Sequence, residues 1–199
     1  GVDIQTEVTV TALHPDGRLS LATPAGKAEL QAERVVLCTG AREASRPQRF
    51  IGGDRPLGVL STGALQSMTY LQGMRPFRRP VIIGSELVSF SAIDTCRHLG
   101  IRPVAMIEEN DRILARRLVQ PYLMVRGVAL FTEVTNLRIL GRRQVEAIEF
   151  IDSAGKQQSI ESDGAIISGH FRPEAALLYL SHLEVDPGSG GPVIDQFGQ

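Results

Sequence analysis

The chain lacks tryptophan altogether, and among its 199 residues it has only three tyrosines, two cysteines and a formal net charge of −1. So small a charge leaves no basic surface for nucleic acid. No apolar run approaches the roughly 18 residues that a membrane span needs. Cys38 and Cys96 lie far apart, form no CxxC and have no metal-ligand spacing to the four histidines. Both are expected to be small buried hydrophobes in a reducing, cytoplasmic compartment, with no metal site. No tyrosine is followed four residues later by lysine (Tyr122 is followed by Arg126), so the pair with which a short-chain dehydrogenase polarises a hydroxyl is missing. What is present is a 43% hydrophobic composition, enough for one substantial core or two small ones.

Val8, Val10 and Ala12 alternate with polar residues, a Pro15-Asp-Gly17 turn leads to Leu19 and Leu21, and a Pro24-Ala-Gly26 turn leads to Ala28 and Leu30. The chain then enters Val35-Val-Leu-Cys38 and stops at Thr39-Gly40, which predicts an antiparallel meander delivering one buried strand. The same order recurs from Glu133-Val-Thr135 through Val145, Ile148 and Phe150, a turn at Asp152-Ser-Ala-Gly155, and Ala165-Ile-Ile167 ending at Ser168-Gly169. Gly155 follows Gly26 by 129 residues, as Gly169 follows Gly40. A two-fold internal repeat accounts for this register, although meanders ending in a glycine turn also recur by chance.

Between the copies, Ser61 or Thr62 can cap a helix carrying Leu65, Met68 and Leu71, which Arg75-Pro-Phe-Arg-Arg-Pro80 breaks. Pro80-Val-Ile-Ile-Gly84 then reads as a buried strand running into a glycine turn. The helix behind it carries Leu87, Val88, Phe90, Ala92, Ile93, Cys96 and Leu99 inward and ends at Gly100. Val104-Ala-Met-Ile107 is the next strand, closing a βαβ unit, with Glu108-Glu109 at its carboxyl end where open α/β sheets meet ligands. Gly84 stands first in a dinucleotide fingerprint, but Glu86 and Ser89 occupy its second and third glycine positions. In the first copy the counterpart of Gly84 would fall before residue 1, and the chain opens on Gly1, so a longer parent protein is expected.

These residues resemble the central part of the pyridine nucleotide-disulfide oxidoreductase superfamily, flavoproteins with two dinucleotide-binding domains, over almost the whole chain. Val36-Leu-Cys-Thr-Gly-Ala41 is similar to the family's apolar strand ending in Ala-Thr-Gly near the FAD, and Ile166-Ile-Ser-Gly-His-Phe-Arg-Pro173 to its second appearance. Gly191-Pro-Val-Ile-Asp195 with Phe197-Gly198 resembles the approach to the final flavin motif. The resemblance implies an α/β fold: a Rossmann-like parallel-sheet domain with antiparallel meanders, of three-layer ββα type, flanked by partial FAD-domain segments. The expected boundaries are 1–45 for a partial FAD-binding domain, 46–78 for a linker with a short helix, 79–168 for an NAD(P)-binding-like domain and 169–199 for the return. Thr39-Gly-Ala-Arg-Glu43 and Gly58-Val-Leu-Ser-Thr-Gly-Ala-Leu-Gln66 look most similar to an amine-oxidising branch that includes opine oxidase, hydrogen cyanide synthase and sarcosine oxidase subunits. That implies FAD, a small amine or amino-acid-type substrate, and electrons leaving to a partner. The missing CxxC weakens a thioredoxin-reductase assignment.

The cofactor-binding candidates are Thr39, Gly40, Ala41 and Gly169 at the two glycine-ended strands, and Gly84, Ser85, Glu86, Leu87 and Glu108 around the fingerprint; no catalytic residue is assigned. Ser89 adds only a small side chain at the third position. Glu86 is the serious departure, because a carboxylate about 4 Å from a phosphate repels it by roughly 4 kcal/mol at an effective dielectric near 20, about a thousandfold in affinity. It can occupy the helix's anion site itself or rotate into solvent and leave NAD room to bind. Glu108 is either a ribose acceptor favouring NAD over NADP or a solvated strand end. Arg75, Arg78 and Arg79 read as a solvated linker, His98 and His182 as surface residues, and His170 as a turn histidine. As an isolated stretch the chain is expected to be inactive. The alternative is a non-catalytic pseudo-nucleotide scaffold that docks another subunit of a multi-subunit dehydrogenase.

Overall fold

The computed structural model describes residues 1–198, which fall into two units, residues 1–42 with 171–198, and Glu43–His170. The first unit opens with β1 (Thr9–Leu13), β2 (Arg18–Thr23) and β3 (Gly26–Gln31), an antiparallel meander of order β1-β2-β3. Leu13, Leu19 and Leu21 form its small core, against which Val35, Leu37 and Leu183 pack. The unit continues into β4 (Ala41–Arg42).

The second unit carries β5 (Gly52–Gly53), β6 (Val59–Ser61), α1 (Thr62–Gln72), β7 (Pro80–Ile83), α2 (Leu87–His98), β8 (Ala105–Ile107), α3 (Gln120–Arg126) and β9 (Ala129–Phe131). It continues with β10 (Thr135–Leu140), β11 (Ala147–Ile151), β12 (Gln157–Glu161) and β13 (Gly164–Ile167). The chain then returns to the first unit with β14 (Arg172–Pro173), paired to β4, and α4 (Ala176–Tyr179).

Alternation within three short apolar strands builds the layers of the second unit. β6, β13, β7, β8 and β9 form a parallel sheet in that order. Val81, Ile83, Ala105, Ile107, Ala165 and Ile167 point to one face, where they meet Leu137, Ile139, Ile148 and Phe150 of the β12-β11-β10-β5 sheet, an antiparallel meander with β5 added parallel to β10. Ile82, Met106 and Ile166 point to the other face, against Leu65 of α1 and Phe90, Ile93 and Cys96 of α2. Strands covered on both sides read as continuous apolar runs, as these do. The result is the expected ββα layering.

The meanders β1–β3 and β10–β12 are alike in order and sense, and β11 begins 129 residues after β2. The parallel breaks at the strand each should deliver. β13 lies between β6 and β7, whereas Val35–Cys38 forms no strand, Val36 is 84% exposed and Cys38 is exposed rather than buried. An apolar run becomes a buried parallel strand only between flanking strands, and among the described residues none pairs with this one.

Residues 46–78, expected as a linker with a short helix, lie inside the second unit, supplying the edge strand β6 and α1, which packs on α2. Ser61 is the helix cap, its Oγ accepting from the Ala64 N–H at 3.2 Å. The buried stripe of α1 is Thr62, Leu65 and Thr69, and Leu71, expected inward, is 81% exposed because it lies off that stripe. Leu87, also expected inward, is 69% exposed, since the first turn of α2 overhangs the end of the sheet.

Ile82→Ala, fully buried between the parallel sheet and its helices, is expected to cost about 2–5 kcal/mol in urea unfolding, and Val36→Ala a few tenths at most. Equal losses would refute the assignment of Val36 to the surface.

Candidate functional site

β7 leads through α2 to β8 on one side of itself, while β13 joins from the other, so the strand order reverses between β7 and β13. A crevice for ligands opens at the carboxyl ends of strands at such a point. Three turns meet there: Gly84-Ser-Glu86 after β7, Glu108-Glu-Asn110 after β8 and Ser168-Gly-His170 after β13. Gly84 has φ +114°, and a Cβ on it would lie 2.2 Å from the Ser168 carbonyl oxygen, so only glycine fits.

Glu86 is the cap position of α2, but its carboxylate bonds to none of that helix's N–H groups. Its Oε1 instead accepts from the His170 N–H at 2.6 Å. Glu43 lies beside it, accepting from the Gly169 N–H at 3.1 Å and, with its other oxygen, from the Gly63 N–H in the first turn of α1 at 2.9 Å. Gly169 and His170 have φ of +80° and +53°. Successive N–H groups turned in this way form a concave nest for an anion, and two carboxylates of the chain itself occupy it. Glu86 thus neither fills the anion site of its own helix nor points into solvent. The strand-end N–H of His170 is the stronger competitor for it. A Cβ at Gly169 would come within 2.7 Å of the Glu86 carboxyl carbon, so glycine there leaves room for the carboxylate.

The remaining candidates around the crevice also have internal partners. Ser85 donates through its hydroxyl to Glu108 Oε2 and accepts from the Leu114 N–H at 2.9 Å. Glu108, expected to be a ribose acceptor or a solvated strand end, is fully buried, and its Oε1 accepts from the Asn110 N–H at 2.9 Å and from the Asn110 side chain. Accepting from a ribose would require breaking these buried bonds. Ser89 is buried and donates to Ser168 Oγ at 2.9 Å, as Thr62 does at 2.8 Å, so hydroxyls tie α1 and α2 to the end of β13. The His170 ring has its Nε2 buried without a hydrogen-bond partner, and His98 and His182 are both exposed.

Sequence reasoning missed Arg49, which sits in the supposed linker with a side chain only 1% exposed. Its Nη1 donates to the carbonyls of Ile83, at 2.9 Å, and Ser168, at 3.1 Å, bridging the last residues of β7 and β13. Its Nη2 lies 3.8 Å from Glu109 Oε2. Nothing in the local pattern marks it, since it contacts residues 34 and 119 positions away.

In the first unit, Thr39 Oγ1 donates to the Glu174 carbonyl at 3.0 Å, and Ala41 pairs with Pro173. Gly40 has φ +75° and open space around its α-carbon. Thr39, Gly40 and Ala41 are exposed, so their backbone is approachable by a ligand. A groove of about 720 Å³ runs beside them, lined by Val8, Leu19, Val35–Thr39, Leu177 and Leu180 among others.

The sequence pattern of the family described as pyridine nucleotide-disulphide oxidoreductase matches residues 1–199. Two curated relatives come from Rhizobium meliloti (strain 1021). The alpha subunit of sarcosine oxidase is 27% identical over 142 residues, 71% of this chain and 13% of that protein. An opine oxidase subunit is 23% identical over 192 residues, 94% of this chain and 41% of that protein. Among solved structures, T. acidophilum thioredoxin reductase superposes with a TM-score of 0.73 at 20% identity, covering 95% of this chain and 60% of that one. An FAD-dependent pyridine nucleotide-disulphide oxidoreductase from Desulfovibrio vulgaris superposes with 0.72 at 17%, covering 95% and 49%. At these identities the structures establish the fold, and the chain spans less than two thirds of every one of these proteins.

Glu86→Gln, which weakens a charge-assisted bond, is expected to speed hydrogen exchange of the His170 amide at least tenfold while leaving the core amides of β7 unchanged; no change at His170 would show that the bond does not form. The cysteines give a second check. Burial pushes the Cys96 thiol up to about 12, so it stays protonated throughout the neutral range. An aromatic disulfide reagent at pH 8 should therefore titrate one thiol per native chain, at Cys38, and two after denaturation.

Proposed function

Because the chain belongs to the pyridine nucleotide-disulphide oxidoreductase family, we propose that it is the central part of an FAD-dependent oxidoreductase in which the nicotinamide-type crevice is closed. The substrate class we assign is a small amine or amino acid, oxidised at its carbon–nitrogen bond. The support for this is the similarity to the opine and sarcosine oxidase subunits, alongside Thr39–Glu43 and Gly58–Gln66. Flavin, when bound, supplies the two-electron acceptor. In the first unit Thr39, Gly40 and Ala41 would lie against it, and their exposed backbone fits that use.

The nicotinamide crevice does not fit its cofactor. The observation that carries this is Glu86, which stands where the fingerprint needs a glycine and holds the His170 N–H at 2.6 Å. Glu43 takes the neighbouring Gly169 N–H, and Glu108 is sealed by Ser85 and Asn110. A pyrophosphate entering here meets carboxylates where it needs donors, a repulsion of roughly 4 kcal/mol per close pair. Electrons then leave the flavin for an acceptor other than NAD, and the chain alone does not turn over substrate. A second reading keeps this unit as a pseudo-nucleotide scaffold docking another subunit. It is favoured by the internal pairing of the His170 and Gly169 N–H groups and by relatives that are themselves named as subunits. A cytoplasmic location is part of the proposal, supported by two free cysteines and, among the described residues, by the lack of any helix long and apolar enough to cross a membrane.

Isothermal titration with NADH tests the closed crevice. The wild type should show no binding below millimolar concentration, and Glu86→Gly should bind at least tenfold more tightly than the wild type. Micromolar binding by the wild type would refute the closure and assign NAD to electron exchange with the flavin.

A further inference from the structure

The opposite edge of the parallel sheet, where β7, β8 and β9 begin, carries a second concave feature of different chemistry. A groove of about 610 Å³ is lined by Arg79 ahead of β7, Ile101–Val104 ahead of β8, Val125–Val128 ahead of β9, and Ile93 and Arg97 on α2. Its floor is apolar, with Ile93, Ile101 and Val128 buried. Four arginines, Arg79, Arg97, Arg102 and Arg126, stand around that floor, and among the described residues no carboxylate side chain lines it. In a chain of net charge −1 this is a local excess of cation.

Helix ends explain two of the four. Arg97 and Arg126 lie in the last turns of α2 and α3, where a cation complements the helix dipole. Arg97 also has Asp94 at 3.9 Å, an acid that Tyr122 holds through its hydroxyl. Arg79 and Arg102 have no such explanation. They are exposed loop residues, and among the described residues neither has an ion-pair partner. Arg126 stacks on the Tyr122 ring with its guanidinium carbon 4.5 Å from the ring centre, and its Nε is buried without a hydrogen-bond partner.

We propose that this groove binds a small amphipathic polyanion, of the class of a nucleoside diphosphate. The apolar floor takes the flat organic body, and the guanidinium groups of Arg79, Arg102 and Arg126 take the phosphate oxygens, the oxyanion for which arginine's forked donors are shaped. The volume falls in the range of small-molecule sites, about 300–1,000 Å³. The groove lies at the amino-terminal edge of the sheet, away from Gly84 and Glu86, so it is independent of the closed crevice.

The probe is ADP, titrated into the wild type, into Arg79→Gln/Arg102→Gln and into the charge-matched control Arg142→Gln/Arg143→Gln, two exposed arginines outside the groove, with thermal unfolding confirming that each is folded. The wild type should bind ADP with Kd in the micromolar range, weakening as salt is raised. The groove double variant Arg79→Gln/Arg102→Gln should bind at least tenfold more weakly, and Arg142→Gln/Arg143→Gln, which removes the same charge elsewhere, should match the wild type. Inorganic pyrophosphate should bind more weakly than ADP, because it leaves the apolar floor uncovered. ADP binding that survives the groove double variant, or no binding at millimolar ADP, would overturn the proposal. So would a glutamate- and leucine-rich peptide that binds where ADP does not, assigning the groove to a protein partner. Pyrophosphate binding as tightly as ADP would overturn the role of the floor.

Discussion

A parallel sheet ends in backbone groups that have run out of strand partners, and at a reversal of strand order these groups face one another across a buried crevice. Every such N–H and carbonyl must find a partner or cost a hydrogen bond. Dinucleotide-binding proteins leave several of these donors for the pyrophosphate. In this chain they are met from within. Arg49 satisfies the Ser168 carbonyl and adds a second bond to that of Ile83, which also accepts from the Ser168 N–H at 2.9 Å, while Glu86 and Glu43 satisfy the N–H groups of His170 and Gly169. The acids and the base come from separate stretches of the sequence and take up the backbone groups, while Nε and Nη2 of Arg49 stay without a hydrogen-bond partner.

That saturation also accounts for the residues that surround it. Gly84 must be glycine because the Ser168 carbonyl lies where its Cβ would be, and that carbonyl is in turn an acceptor for Arg49. Gly169 must be glycine because Glu86 lies against it. Ser89, at the third fingerprint position, is small enough for α2 to approach β13, and its hydroxyl reaches Ser168. The fingerprint thus keeps the packing its glycines serve and gives up the approach of phosphate, two roles that one motif usually combines.

The fold was legible where period and punctuation agree. Val81 to Ile83 and Ala165 to Ile167 are apolar at every position, which marks strands covered on both faces, and the turns at Gly17, Gly26 and Gly155 set the meanders. The site was legible only in part. Glu86 is visible as a broken motif, but its partner His170 is 84 residues away and the bond between them has no local signature. Arg49 leaves no trace, because an arginine between a proline turn and a phenylalanine reads as a solvated loop until the strands it bridges are placed. Val35–Cys38 misled for the opposite reason, since its composition matches β13 while burial depends on neighbours that composition does not encode.

The two edges of the parallel sheet differ in charge as well as in saturation. The carboxyl edge carries Glu43, Glu86, Glu108 and Glu109 along with the buried Arg49, and the amino edge gathers four arginines around an apolar floor that, among the described residues, no acid lines. The dipole of α2 favours this separation, because the helix starts near the first edge, where its positive end attracts anions, and ends near the second. Arg97 in its last turn complements that dipole, while the Glu86 carboxylate at its start is committed to the His170 N–H. At the amino edge the complement overshoots: two helix ends account for Arg97 and Arg126, and Arg79 and Arg102 are left over. Surplus cation on an apolar floor, rather than the crevice that the fold offers by default, is therefore where this unit has binding capacity to spare.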